Sequence, residues 1–213
     1  MGPVLYLLRH GQTESSRGNL FCGAGIDADL TPDGLEMAQS FAVSYRALPW
    51  AAIYSSPLRR TLATARPIAE ALKVDVETRD DLKEIHYGKW EGKTVETVNR
   101  DYHDDHIRWL ADPAWYPPTG GEPAVAIARR SYRVIEEIRE RYASGNVLVV
   151  SHKATIRIML CNLLGIDVGR FRYRLGCPVG SVSIVEFAPH GPLLHALADR
   201  THLTDRLRNL PGT

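Results

Sequence analysis

The sequence predicts an α/β protein: a three-layer α/β/α sandwich with a mainly parallel central sheet and a small cap over the carboxyl ends of its strands. Three observations predict it. Apolar runs of strand length recur along the 213 residues, segments with helical spacing separate them, and one aromatic-rich stretch interrupts the alternation. Uninterrupted apolar strands suit a sheet covered on both faces, and alternation with helices favours parallel order. The length predicts one domain over residues 1–203, with a cap insertion at about 93–122 and a loose polar tail over 204–213.

The first strand is predicted over residues 4–8. A helix follows with Thr31 as its cap and Pro32 at its first position, because Leu35, Ala38, Phe41, Ala42, Tyr45 and Leu48 recur at helical spacing. After a strand at 51–55, a second helix is predicted from Ser56-Pro57 toward Leu72, with Pro67 kinking or breaking it. A weaker strand covers 74–78. Residues 99–122 are too long and too rich in aromatic, histidine, proline and glycine residues for an ordinary connection, which makes them the body of the cap. A helix over 124–142 turns Val134, Ile135 and Ile138 inward and stops at Ser144-Gly145. A strand over 146–151, a helix over 155–164 ended by Gly165, and strands over 181–187 and 193–198 complete the order.

Hydrophobic residues make up 44% and charged residues 24%, as in ordinary folded domains, and the net charge is +1. No polybasic stripe points to nucleic acid, and no apolar run approaches a membrane span. The amino terminus has no secretory pattern, so a cytoplasmic location is expected. Three widely spaced cysteines, Cys22, Cys161 and Cys177, form neither a disulfide framework nor a zinc set, and Cys161 reads as helix core.

Chemistry collects at strand ends. "LYLLRH" ends at His10, "VLVVSH" ends at His152, and "AIYSSPLRR" delivers Arg59 and Arg60 just past its strand. If these strands are parallel neighbours, two imidazoles and several guanidinium groups meet at one rim, where open α/β sheets bind ligands. Glu84, in "LKEIHYGKWEG", is a candidate to join them. Arginines match phosphoryl oxygens, a neutral imidazole can attack phosphorus, and a carboxyl group can protonate a leaving alkoxide. Phosphoryl transfer through a covalent histidine uses every one of these groups.

"RHGQTE" after a strand resembles the signature of the histidine phosphatase superfamily, the phosphoglycerate-mutase-like proteins. "DLTPDG", "SSPLRRTLATA", "LKEIHYGKWEG", "PTGGE", "VVSHKATIR" and "DRTHL" follow in family order, from Arg9 to Leu203. The resemblance implies a phosphatase with His10 as nucleophile, Arg9 and Arg60 as phosphate clamps, His152 as second histidine and Glu84 as proton donor. It also implies that Thr13, Ser16, Cys22, Gly23, Tyr87 and Lys153 border the substrate, Gly23 partly through backbone amides. A small phosphorylated metabolite is the implied partner, with no cofactor and no metal. Many relatives pair, which makes a homodimer one implied assembly, although no exposed stripe specifies it.

Two positions depart from the family pattern. Ser15 and Ser16 stand where tryptophan and asparagine are common, and Lys153 and Ala154 follow the second histidine in place of small residues. Lys153 either meets a second anionic group or points into solvent, and Arg59 is either a site neighbour or a surface residue. Cys22 reads as a pocket wall. His103 and His106 stand three apart, but Asp104 and Asp105 point away from their shared face, so a solvated cap helix is expected there instead of a metal site. Trp109, Trp115 and Tyr116 either line the entrance or pack the cap. Two alternatives stay open: a phosphomutase, disfavoured by the short stretch after the glutamate segment, and a non-catalytic phosphate-binding protein.

Overall fold

Six strands form one mixed sheet in the computed structural model, which describes residues 2–212; Met1 and Thr213, the outer ends of the predicted domain and tail, lie outside the described residues. The strands are β1 (Val4–Arg9), β2 (Trp50–Ser55), β3 (Val76–Thr78), β4 (Asn146–Ser151), β5 (Val182–Ala188) and β6 (Gly191–Asp199). Their spatial order is β3-β2-β4-β1-β5-β6. The first four run parallel, whereas β5 pairs antiparallel with both β1 and β6. β1 and β4 are in register from Val4↔Asn146 to Arg9↔Ser151, so their carboxyl ends finish side by side.

The helices are α1 (Glu14–Arg17), α2 (Pro32–Tyr45), α3 (Arg59–Leu72), α4 (Val95–Asp101), α5 (His103–Ala111), α6 (Ala124–Arg141), α7 (Lys153–Leu164), α8 (Phe171–Arg174) and α9 (Asp205–Arg208). Alternation along the strands supplies two cores. Leu5, Leu7, Val147 and Val149 pack with residues of α6 and α7, while Leu8, Leu148 and Val150 pack with residues of α2 and α3. This is why these strands read as apolar on both faces. No helix of the described residues is long and apolar enough to cross a membrane.

Several predicted boundaries move. The second helix begins at Arg59, because the amide of Ser56 still donates to Val150 of β4 and keeps the chain extended. It runs unbroken through Pro67 to Leu72; burial of Thr64, Ala65, Ile68 and Ala69 outweighs the one missing amide donor. α7 starts at Lys153, two residues before its predicted start, with His152 as its cap residue. The third strand shrinks to Val76–Thr78. α1 is too short for periodicity to reveal and is held by a capping box between Thr13 and Ser16.

The cap region contains α4 and α5, whose Val98 and Trp109 pack with Phe21 and Trp90. α5 is not solvated all round: His106 is buried, bonds Asn99 and stacks on Trp109. The described tail is not loose. Leu207 packs with Met37, Val179 and Leu203, and Arg206 bonds Asp33 and Glu36 of α2. Its polar composition concealed two apolar anchors, Leu207 and Leu210.

Candidate active site

The carboxyl ends of β1, β2 and β4 open into a cavity of about 300 Å³. Its wall includes Arg9, His10, Arg60 and Glu84, with His152 directly behind. All five of these side chains are buried. The His10 and His152 ring centres stand 5.3 Å apart.

Each imidazole has an assigned proton. His10 Nδ1 lies 2.8 Å from the Gly11 carbonyl, which can only accept, so Nδ1 carries the hydrogen and Nε2 keeps its lone pair. Arg60 Nε donates to His152 Nδ1 at 3.2 Å, which leaves His152 Nε2–H to donate to Ser56 Oγ at 2.8 Å. Burial, then the adjacent Arg60 guanidinium, holds both rings well below the ordinary imidazole range. Both are therefore neutral near pH 7.

Arg60 reaches the rim from the first turn of α3. Its guanidinium is fixed by the Ile26 carbonyl at 2.7 Å and the Gly23 carbonyl at 3.1 Å, besides His152. Arg9 donates to the Cys177 carbonyl at 2.6 Å. Glu84 sits at the start of α7. Its Oε1 accepts from the amides of Ile85 and Thr155 and the Thr155 hydroxyl, whereas Oε2 accepts from the Ala154 amide. The first-turn amides of a helix are natural partners for a carboxylate.

The remaining predicted residues divide. Thr13, Ser16, Cys22, Tyr87 and Lys153 line the cavity. Gly23 does not: its amide donates to Glu91 and its carbonyl accepts from Arg60, so it positions that guanidinium and its amide is already engaged. A Cβ there would stand 2.2 Å from the Ile85 carbonyl, which explains the glycine. The Ser16 hydroxyl accepts from the Thr13 amide and donates to the Thr13 carbonyl. Arg59 pairs with Asp29 on the surface. Burial raises the Cys22 thiol above its usual range, in keeping with a wall residue. Trp109 lines the cavity, but Trp115 and Tyr116 are exposed and do not. Among the described residues, no group of three histidine, cysteine, aspartate or glutamate side chains is placed to hold a metal ion.

Several contributors escaped sequence reasoning. Ser56 and Thr155 fix His152 and Glu84, and Glu91 gathers the amides of Gly23, Gly25 and Tyr87. Arg157, Phe171, Arg172 and Tyr173 form a second wall. "SHKATIR" contained Thr155 and Arg157, but α8 left no periodic trace.

The family model of the histidine phosphatase superfamily (branch 1) matches residues 5–200. The chain belongs to this superfamily. As a histidine phosphatase it is a hydrolase of phosphate monoesters, and relatives extend along nearly the whole domain. It is 35% identical to phosphoserine phosphatase 1 of Hydrogenobacter thermophilus over 199 residues, 93% of each chain. Identity to the adenosylcobalamin/alpha-ribazole phosphatase of Escherichia coli is 28% over 176 residues, 81% of this chain and 86% of the relative. The structure of Bacillus stearothermophilus YhfR superposes with a TM-score of 0.87 at 26% identity, covering 94% of this histidine phosphatase and 98% of that chain.

Proposed function

We propose that this histidine phosphatase hydrolyses a small phosphorylated metabolite, without a metal ion, through a phosphohistidine at His10. The observation that carries the reading is the His10 tautomer: a buried, neutral ring whose Nδ1–H is tied to Gly11 and whose Nε2 lone pair is available. Nε2 attacks phosphorus, the ester P–O bond breaks, and the leaving oxygen takes a proton from Glu84. Water then gives a proton to the Glu84 carboxylate as its oxygen attacks phosphorus. The P–N bond breaks and its electron pair returns to Nε2. Arg9, Arg60 and His152 donate to the nonbridging oxygens, with the ligand replacing Ser56 as the acceptor for His152 Nε2–H.

The test is phosphate release from a panel of phosphorylated metabolites and an aryl phosphate, with EDTA present, by the native protein and a His10→Ala variant. Release that survives EDTA and disappears in the variant is expected. Release that EDTA abolishes, or that the variant retains, overturns the mechanism.

A further inference from the structure

The cavity wall is more cationic than a phosphoryl group requires. Arg9, Arg60, Lys153, Arg157 and Arg172 line it, with Glu84 the single carboxyl side chain among them. Arg9 and Arg60 stand with His10 at the reacting end. The other three come from α7 and α8.

We propose that the leaving group of the substrate carries a second anionic group, a carboxylate or a second phosphoryl group, and that Lys153, Arg157 and Arg172 bind it. This rests on the phosphatase reading, because the direction of the leaving group follows from the role of Glu84. The proton donor must touch the leaving oxygen, so the leaving group emerges on the Glu84 side. Glu84 is held by the amides of Ala154 and Thr155, the two residues after Lys153. Arg157 follows Lys153 by four residues on the same helix, a rise of about 6 Å. The cations therefore extend from the proton donor along the path of the leaving group.

The three side chains are prepared for a ligand. Arg157 is anchored to the carbonyls of Leu175 and Arg172. The Arg172 guanidinium lies 3.8 Å from the centre of the Trp109 ring, and its buried Nη1 has no hydrogen-bond partner among the described residues. Contact with the Trp109 ring holds the guanidinium in place at the cavity wall, where an anion would supply the missing acceptor. Burial, with Arg9 and Arg157 nearby, lowers the Lys153 ammonium to about 8. An anion among these groups relieves the repulsion that an uncharged leaving group leaves in place. The short spacing favours a compact anion a few bonds from the ester oxygen.

The experiment measures binding by calorimetry to the His10→Ala protein, so that turnover does not intervene, using pairs that differ in the second anion. The pairs are 3-phosphoglycerate against glycerol 3-phosphate, and O-phosphoserine against O-phosphoethanolamine; propane-1,3-diol bisphosphate represents a second phosphoryl group. We expect the carboxylate or the bisphosphate to bind at least about tenfold tighter than its singly anionic counterpart, whichever binds tighter identifying the group. Adding Arg172→Gln or Lys153→Gln reduces that preference to about twofold or less. Two variants are used because loss of the Trp109 stack can unfold the first; circular dichroism reports on both. Pairs that bind within about twofold of one another, or a preference that survives both substitutions, overturn the proposal. Phosphate release by the native protein, run in parallel, tests the mechanism separately: no release with the binding preference intact refutes the phosphatase reading and supports the anion site.

Discussion

His10 and His152 are both held neutral by burial beside arginine, and His202, half-buried between Phe41 and Tyr45, is lowered to about 4. In the unfolded chain such rings bind a proton near pH 6.5. The unfolded state therefore takes up more protons below that pH, and stability rises with pH across the window. The contribution is complete above about pH 7 and is lost as pH falls from about 6.5 toward each folded value, by up to about 1.4 kcal/mol per pH unit for each ring. Urea midpoints should fall steadily between about pH 7.5 and about pH 5. A constant midpoint would contradict the neutral, buried state of these rings. The strand-end residues His10, Arg60 and His152 were legible because strand ends in a parallel sheet fix position almost by themselves. The hydrogen bonds of Gly23 and Ser16 were not legible, since nothing in their spacing reveals that Glu91 holds the Gly23 amide or that the Ser16 hydroxyl bonds the Thr13 backbone.

At the scale of elements, α2 is joined to the end of β1 by close backbone contact. A Cβ on Gly34 would lie 2.2 Å from the Gln12 carbonyl, and one on Gly11 would lie 2.3 Å from the Gly34 carbonyl. Thr31 adds side-chain bonds to Gln12 and caps the helix. Gly34→Ala should cost about 1–3 kcal/mol, since backbone must shift to admit one methyl group, and should lower the melting temperature by several degrees. An unchanged melting temperature would show that the contact is not tight. Long amphipathic helices such as α6 were legible from periodicity, as were the two-sided strands. Boundaries set by tertiary bonds were not: the start of α3 depends on Val150, and the start of α7 on Glu84. Four-residue helices such as α1 and α8 carry no period at all.

Across the whole molecule, the chain closes on itself. Leu207 is fully buried with Met37, Val179 and Leu203, and the Gln12 side chain donates to the Pro211 carbonyl. Leu207→Ala should destabilise the protein by about 2–5 kcal/mol, read as a lower urea midpoint with an unchanged slope. A loss below about 0.5 kcal/mol would mean that the carboxyl-terminal segment is dispensable to the fold. The position of β1 has a further consequence during synthesis. It precedes the other five strands of its sheet in the chain, yet its two neighbours are β4 and β5, so Val4 pairs with Asn146 and with Glu186. Every shorter nascent chain carries an unpaired apolar strand already bearing Arg9 and His10. Arg9 and His10 are therefore synthesised long before the strand that brings His152 beside them, and that interval is when chaperones have a strand edge to protect.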